Sequence, residues 1–353
     1  MADAVARSFA IRADDHSLGA TPGGGAFFES PNLVIDHRLL RPRHWPAWLA
    51  VGSFQLLALL PFRWQAALGR GFGALGYRLL RGRRDVARIN LSICLPALSD
   101  AQRDVLLREH FGWLGLAVVC QGLSWSAPVE RLQRIIHIRN RAFIDQCIAE
   151  RRPVIVLVPH FMGLELAGTG FTALVHPGMY MYQRIRSPVI DAVVKHGRTR
   201  FGSVPVERHD DLRALVREIK RGTPFFYLPD QDPGRRRGLF VPFCGIPAAT
   251  VPTLGRIARL AGAVVIPTFA RFLPNGDGVE LIFDPPMTDF PSGDPESDTA
   301  AMNRVIEARM HDMPAQYFWV HRRFKTRPDG ESPLYPLSRR RRRRRSRRKS
   351  QSP

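Results

Sequence analysis

The chain has 353 residues and a formal net charge of +21, enough length for one large domain or two small ones with a real core. It has no Gly-x4-Gly-Lys-Ser/Thr loop to hold a nucleotide, and no His-Glu-x-x-His or Cys-x-x-Cys pair to hold zinc. Its four cysteines, Cys94, Cys120, Cys147 and Cys244, are widely spaced. With no recognisable signal peptide, this predicts reduced thiols facing the cytoplasm rather than a disulfide framework. Ten of the positive charges sit between Arg339 and Lys349. Arginine outnumbers lysine throughout, a bias that a GC-rich genome explains as readily as binding chemistry does. The remaining positive excess points to acidic partners: phospholipid headgroups, phosphates or an acidic carrier protein.

In chain order, residues 1–37 lack apolar periodicity and read as a disordered extension. Trp45 to Phe62 carries no charge over 18 residues, with Arg41, Arg43 and His44 before it and Arg63 after. That length is at the lower limit for crossing a bilayer. Trp45 and Trp48 suit the interface and Pro61 ends the run; a buried core helix is the alternative. The arginines from Arg70 to Arg84 favour a cytoplasmic location for the remainder of the chain. Ser99-Asp-Ala-Gln102 has the form of a capping box and starts a helix from Asp100 to about Leu123. Val154 to Val158 is short, apolar and β-branched, the pattern of a strand buried on both faces. Gly163 then loosens the backbone before a helix over 164–174. Strands near 179–182, 203–206 and 224–228 alternate with helices over 188–198 and 210–221. Apolar runs at 239–243 and 263–272 flank a helix at about 250–262, with Thr250 as its N-cap. A strand over 279–283 and a helix over 298–311 close the series. The alternation predicts an α/β fold: a mixed sheet with helices on both faces, preceded by an N-terminal membrane-anchoring helical region. The expected divisions are 1–37 extension, 38–85 anchor, 86–330 catalytic domain and 331–353 disordered arginine-rich tail.

The densest chemistry lies at the strand ends. His160 comes directly after the Val154–Val158 run and Pro159, and Glu165 sits five residues on, in the first turn of the next helix. A carboxylate-held imidazole at the carboxyl edge of a sheet can take a proton from a hydroxyl or thiol. The plain alternative is a loop histidine satisfied by a nearby acid. Phe225-Phe-Tyr-Leu-Pro-Asp230-Gln231-Asp232-Pro-Gly234 repeats the arrangement, although Asp, Pro and Gly also make an ordinary turn. Arg184, Arg186, Arg198 and Arg200 surround one predicted helix and suit bidentate phosphate binding, or form a solvated charged face. Gln316 to Arg327 combines aromatics with dense positive charge, which alone could be read as a single-stranded nucleic-acid platform.

Taken in order, these segments resemble the late lipid A acyltransferases, the lauroyl/myristoyl transferase family of Gram-negative bacteria. The resemblance covers about Arg43 to Gly330. It rests on Trp45-Pro-Ala-Trp-Leu49, Arg88-Ile-Asn-Leu91, His160-x4-Glu165, Leu228-Pro-Asp-Gln-Asp232, Phe240-Val-Pro-Phe243, Ala248-Ala-Thr250 and the Gln316–Arg327 segment. It implies a glycerolipid-acyltransferase-like domain behind a membrane anchor, at the inner membrane with its catalytic domain on the cytoplasmic face. It further implies acyl transfer from acyl carrier protein to a hydroxyl of a lipid A precursor, with His160 as general base and Glu165 supporting it. Arg184, Arg186, Arg198, Arg200, Asp230, Gln231 and Asp232 are the candidate substrate contacts. Inner-membrane phospholipid is an expected partner and nucleic acid is not. The reaction calls for no metal or other cofactor. Family members often carry Tyr-Arg-Pro where this chain has Tyr182-Gln183-Arg184, so the substrate-binding arginine stays open. The arginine tail lies outside the family pattern. Acylation of another glycolipid is the nearest alternative; an arginine-driven nucleic-acid or anionic-membrane binding module is the alternative from a different class.

Overall fold

A computed structural model describes residues 36–207 and 211–336. The extension before residue 36 and the tail from Arg339 lie outside the described residues. Four helices lead the chain: α1 (Trp45–Leu59), α2 (Phe62–Leu79), α3 (Arg81–Cys94) and α4 (Asp100–Val119). Two short ones come next, α5 (Gln121–Ser126) and α6 (Val129–Ile135). Thereafter strands and helices alternate as β1 (Ile136–Arg139), α7 (Ala142–Ala149), β2 (Val154–Leu157), α8 (Leu164–Leu174), β3 (Met179–Tyr182), α9 (Pro188–Thr199), β4 (Val204–Glu207), α10 (Leu212–Lys220) and β5 (Phe225–Tyr227). A hairpin of β6 (Leu239–Phe243) and β7 (Ile246–Thr250) precedes α11 (Leu254–Ala261), β8 (Val264–Phe272), β9 (Val279–Phe283) and α12 (Pro295–Asp312).

The main sheet has seven strands in the order β1-β9-β8-β2-β5-β3-β4. All neighbours are parallel except the β8–β9 pair, so the sheet is mixed. Strand β2 is central and wholly buried. Ile155 and Leu157 enter the apolar cluster on one side of the sheet, and Val154 and Val156 enter the cluster on the other. An unbroken β-branched run is what two covered faces demand.

Side-chain caps set several helix starts. Ser99 caps α4 in a reciprocal box with Gln102, and Asp211 and Asp294 accept the first-turn amides of α10 and α12. Thr250 departs from expectation: it ends β7 instead of capping a helix, because the Cys244-Gly245 turn folds 246–250 back on 239–243. The expected single helix from Asp100 to Leu123 breaks at Cys120 into α4 and α5.

The uncharged 45–62 run forms α1, which stops before Pro61. No helix among the described residues is long and apolar enough to cross a membrane. The run is not a plain core helix either. Trp48 and Val51 are buried while Trp45, Leu49, Leu56 and Leu59 are exposed. Nor does the expected anchor region stand apart from the domain, since α2 packs tightly along α4. A Cβ on Gly73 would sit 2.1 Å from the Phe111 carbonyl oxygen, and one on Gly115 2.1 Å from that of Gly69. The outer side of α2 exposes Trp64, Phe72 and Leu79.

The cysteine expectation is corrected. Cys94, at the end of α3, is joined to Cys244 in the β6–β7 turn, with Cα atoms 4.8 Å apart, although 150 residues separate them. Sequence spacing does not report that the hairpin folds back over α3. Cys120 and Cys147 are free and buried.

The helix crossing yields a paired test. Gly73→Ala should lower stability by about 1–3 kcal/mol through overpacking. Gly71→Ala, on the same helix with nothing within 4 Å of the new Cβ, should raise it by up to about 1 kcal/mol. Chemical denaturation of the two variants checks both signs.

Candidate active site

Strands β2 and β5 are parallel neighbours in register, Leu157 opposite Tyr227. His160 and Asp230 each lie three residues beyond those partners, so adjacent strands deliver both to the same carboxyl edge. The His160 imidazole Nδ1 lies 2.6 Å from Asp230 Oδ1, and the His160 backbone N–H donates to Asp230 Oδ2 at 2.8 Å. The Asp230 side chain is 2% exposed and that of His160 23%. Burial alone would depress the imidazole pKa, but the charge and hydrogen bond of Asp230 outweigh it, and the net shift is upward from 6.5. Burial likewise opposes ionisation of Asp230, yet its contacts with His160 carry its pKa below the ordinary carboxylate value. With Nδ1 engaged, Nε2 is the nitrogen left to exchange a proton with substrate.

Glu165 does not orient the imidazole, contrary to the expectation from its spacing. Its carboxylate is gripped by the Arg198 guanidinium, Nε at 2.8 Å and Nη2 at 2.7 Å. The two-pronged geometry of a guanidinium matches a carboxylate better than one ring nitrogen does. Glu165 still raises the His160 pKa through space, and Arg198 opposes it. The spacing rule identifies a carboxylate near His160; the hydrogen-bonding one comes from the next strand.

The other expected substrate contacts separate. Arg198 is committed to Glu165. Arg200 ties α9 to α5 instead, donating to the Ala127 carbonyl at 2.7 Å and the Ser124 carbonyl at 3.4 Å; burial lowers its pKa to about 10. Asp232 holds the Thr326 amide and hydroxyl at 2.7 and 2.8 Å and the Gly234 amide at 2.8 Å, a structural clasp. Gln231 is exposed and lines the cavity beside His160. Arg184 and Arg186 are exposed in the β3–α9 connection.

The aromatic segment from Gln316 forms the second wall of the site. Tyr317, Trp319 and Phe324 are buried, which removes them from use as a stacking surface for bases. Gln316 receives the Met162 amide on its carbonyl at 2.9 Å, the His160 carbonyl accepts the Phe318 amide at 3.1 Å, and the Phe318 ring stacks on the imidazole at 6.2 Å. His321 and Arg323, not singled out from the sequence, also face the site. His321 Nε2 accepts the Asp232 amide at 3.1 Å, and burial lowers its pKa to about 4, so it stays neutral. Arg323 donates to the Ala249 carbonyl and Thr250 hydroxyl, both at 2.6 Å. With Asn90, Cys94, His160 and Asp230 they line a cavity of about 10 Å³, room for about one water. A cavity of that volume is too small to hold an acyl chain.

Comparison with known proteins decides the family. A family model described as bacterial lipid A biosynthesis acyltransferase matches residues 34–326. The lipid A biosynthesis lauroyltransferase of Escherichia coli K12 is 34% identical over 298 residues, covering 84% of this chain and 97% of that protein. The chain belongs to the bacterial lipid A biosynthesis acyltransferase family. The palmitoleoyltransferase of the same organism is 33% identical, over 86% of this chain and 99% of its own length. The myristoyltransferase is 29% identical, over 86% and 96%. Membership makes the protein an O-acyltransferase of lipid A biosynthesis. Relatives named for three different acyl chains leave the chain type undivided among them. The matched span stops short of the arginine tail.

Arg200 offers a direct check on its structural assignment. Arg200→Ala strands two carbonyls and should cost about 1–3 kcal/mol of stability. The KM for substrate should stay unchanged in protein that remains folded, as thermal melts and steady-state kinetics on one preparation would show.

Proposed function

We propose that this acyltransferase moves a fatty acyl chain from acyl carrier protein to a hydroxyl of a lipid A precursor, with His160 as general base and Asp230 as its partner. The observation that carries the mechanism is the buried Asp230 carboxylate on His160 Nδ1. Nε2 takes the proton of the acceptor hydroxyl as its oxygen attacks the thioester carbonyl. Asp230 stabilises the imidazolium that forms. The tetrahedral oxyanion meets the Glu165 and Leu166 amides in the first turn of α8, which no side chain caps; the Leu164 amide is already taken by the Phe161 carbonyl. Collapse expels the carrier thiolate, which recovers the proton from His160, leaving an ester and a free thiol. Glu165 and Arg198, held as an ion pair beside the imidazole, set its surroundings and brace α8 against α9. Arg184 and Arg186, exposed at the same carboxyl edge of the sheet as the ends of β2 and β5 and with no side-chain ion pair or hydrogen bond among the described residues, can meet acceptor phosphates.

On the same reading the protein works at the inner membrane with its catalytic domain on the cytoplasmic face. The exposed apolar side chains of α1 and α2 support association without spanning, each helix lying in the interface. The Cys94–Cys244 link points the other way on compartment, since disulfides are uncommon where thiols are kept reduced; thiol labelling in intact cells decides it. Donor choice is tested by rates with acyl carrier protein against acyl-coenzyme A at low and high salt. The acceptor is tested by mass spectrometry of lipid A from cells with and without the protein: loss of one acyl chain supports the reading, and unchanged lipid A refutes it.

Kinetics test the dyad. His160→Ala should reduce turnover by roughly 10²–10⁴-fold without unfolding the protein. Because His160 must be neutral to act and its pKa is raised, the wild-type rate should fall as pH drops through a midpoint above 6.5. Asp230→Asn removes the upward influence, so the residual activity should show that midpoint at lower pH, together with a large loss of maximal rate. A pH–rate profile for each variant measures both effects.

A further inference from the structure

A second cavity, of about 280 Å³, opens between α2 and α4, away from His160. Its floor is small, Ala74 on one helix and Gly112 on the other, and the Trp113 indole forms a wall. That wall is fixed, because Trp113 stacks on Phe272 at 6.2 Å with the rings 13° apart and donates to Glu109 at 3.1 Å. Of the charged groups around the cavity, Arg108 is matched by a carboxylate and Glu109 only by the neutral Trp113 indole N–H. Arg108 forks onto Asp104 at 3.1 and 2.9 Å, and Tyr77 donates to the same carboxylate at 2.6 Å. Arg70 and Arg78 differ: both line the cavity, and neither has an ion pair or hydrogen bond among the described residues. They lie eight residues apart on one row of α2, about 12 Å along its axis, with Ala74 midway. Arg78 leans back toward Ala74, as helical side chains do, and the Arg70 stem lies over Gly112, with its Cγ 3.9 Å from where a Cβ on that glycine would sit. On the helical wheel, the exposed apolar side of α2, with Trp64, Phe72 and Leu79, forms the other flank of the helix.

We infer that the α2–α4 groove is a binding site for an anionic glycerophospholipid, its phosphate between Arg70 and Arg78 and its glycerol against Trp113. Arg70, Arg78 and Arg108 outnumber the carboxylates of Asp104 and Glu109 by one, so the groove keeps a net positive charge even with Glu109 on its rim, which favours an anionic headgroup over a choline one. A small floor and an aromatic wall accommodate a glycerol backbone better than a bare ion. The apolar flank of the same helix gives the lipid's source as the bilayer to which the enzyme binds. This last point rests on the membrane association proposed above; the headgroup contacts do not.

The test uses full-length protein and monomeric dihexanoyl phosphatidylglycerol, so binding needs no bilayer. Dihexanoyl phosphatidylcholine and inorganic phosphate are the comparison probes, read by calorimetry. Wild type should bind the glycerol lipid at least tenfold more tightly than either. The Arg70→Gln/Arg78→Gln double variant and the charge-neutral Ala74→Trp, which fills an exposed position, should each weaken that binding at least tenfold. Arg213→Gln/Arg217→Gln on α10 removes the same charge elsewhere and should leave it unchanged. Wild-type affinity in Ala74→Trp would overturn the groove, and an equal loss in the α10 variant would reduce the effect to diffuse charge. Phosphate binding as tight as the lipid's would replace the lipid with a free anion. Failure of membrane association appears separately, as loss of partition onto phosphatidylcholine vesicles with dihexanoyl lipid binding intact.

Discussion

The site depends on one contact, the imidazole of His160 against the carboxylate of Asp230. A carboxylate with 2% exposure is tolerable only if its charge is answered by hydrogen bonds and an ionisable partner. The architecture answers both needs with parallel strands in register. Each chain leaves the sheet after Leu157 or Tyr227 and places its functional side chain three residues later, so backbone pairing fixes the separation of the side chains. The second carboxylate oxygen accepts the His160 amide, which locks the loop as well as the ring. The closing segment from Gln316 to Arg323 then supports the loop from outside: Gln316 bridges the backbone of Phe272 at 2.7 and 2.9 Å while its own carbonyl holds Met162.

Two acidic residues near one imidazole have thereby acquired different work. Asp230 is buried and touches the ring. Glu165 is on a helix, partly exposed, and neutralised by Arg198. Because Arg198 and Glu165 act on His160 in opposite senses, their influences on the ring partly cancel. Loss of either one would expose His160 to the other's unbalanced charge. The four arginines that look alike in sequence divide on the same principle: Arg198 and Arg200 are half-buried and spent on internal acceptors, whereas Arg184 and Arg186 remain outside.

Much of the fold is legible in the sequence because its cause is local. The doubly buried β2 announces itself by an unbroken apolar run, and α4 by its capping box. The position of His160 at a strand end is set by the run that precedes it. What the sequence does not disclose is non-local. Asp230 looks like a turn residue or a substrate contact because its partner is 70 residues away. The Cys94–Cys244 link and the second strand of the hairpin depend on the chain folding back, and the uncharged 45–62 run reads as a span because its exposed and buried sides are set by packing. The Gln316–Arg327 segment is ambiguous for the same reason: Tyr317, Trp319 and Phe324 are core residues and Phe318 faces His160, and only the fold shows what they cover.

The central claim is that Asp230, and not Glu165, fixes the His160 imidazole with its proton on Nδ1 and its lone pair on Nε2. Nitrogen-15 NMR of histidine-labelled protein, with the resonance assigned by its absence in a His160 variant, reads the tautomer directly. The account predicts a neutral ring protonated at Nδ1 in wild type and in Glu165→Gln, with that preference lost in Asp230→Asn. A wild-type ring protonated at Nε2, or a tautomer that changes with Glu165→Gln and persists in Asp230→Asn, would contradict it.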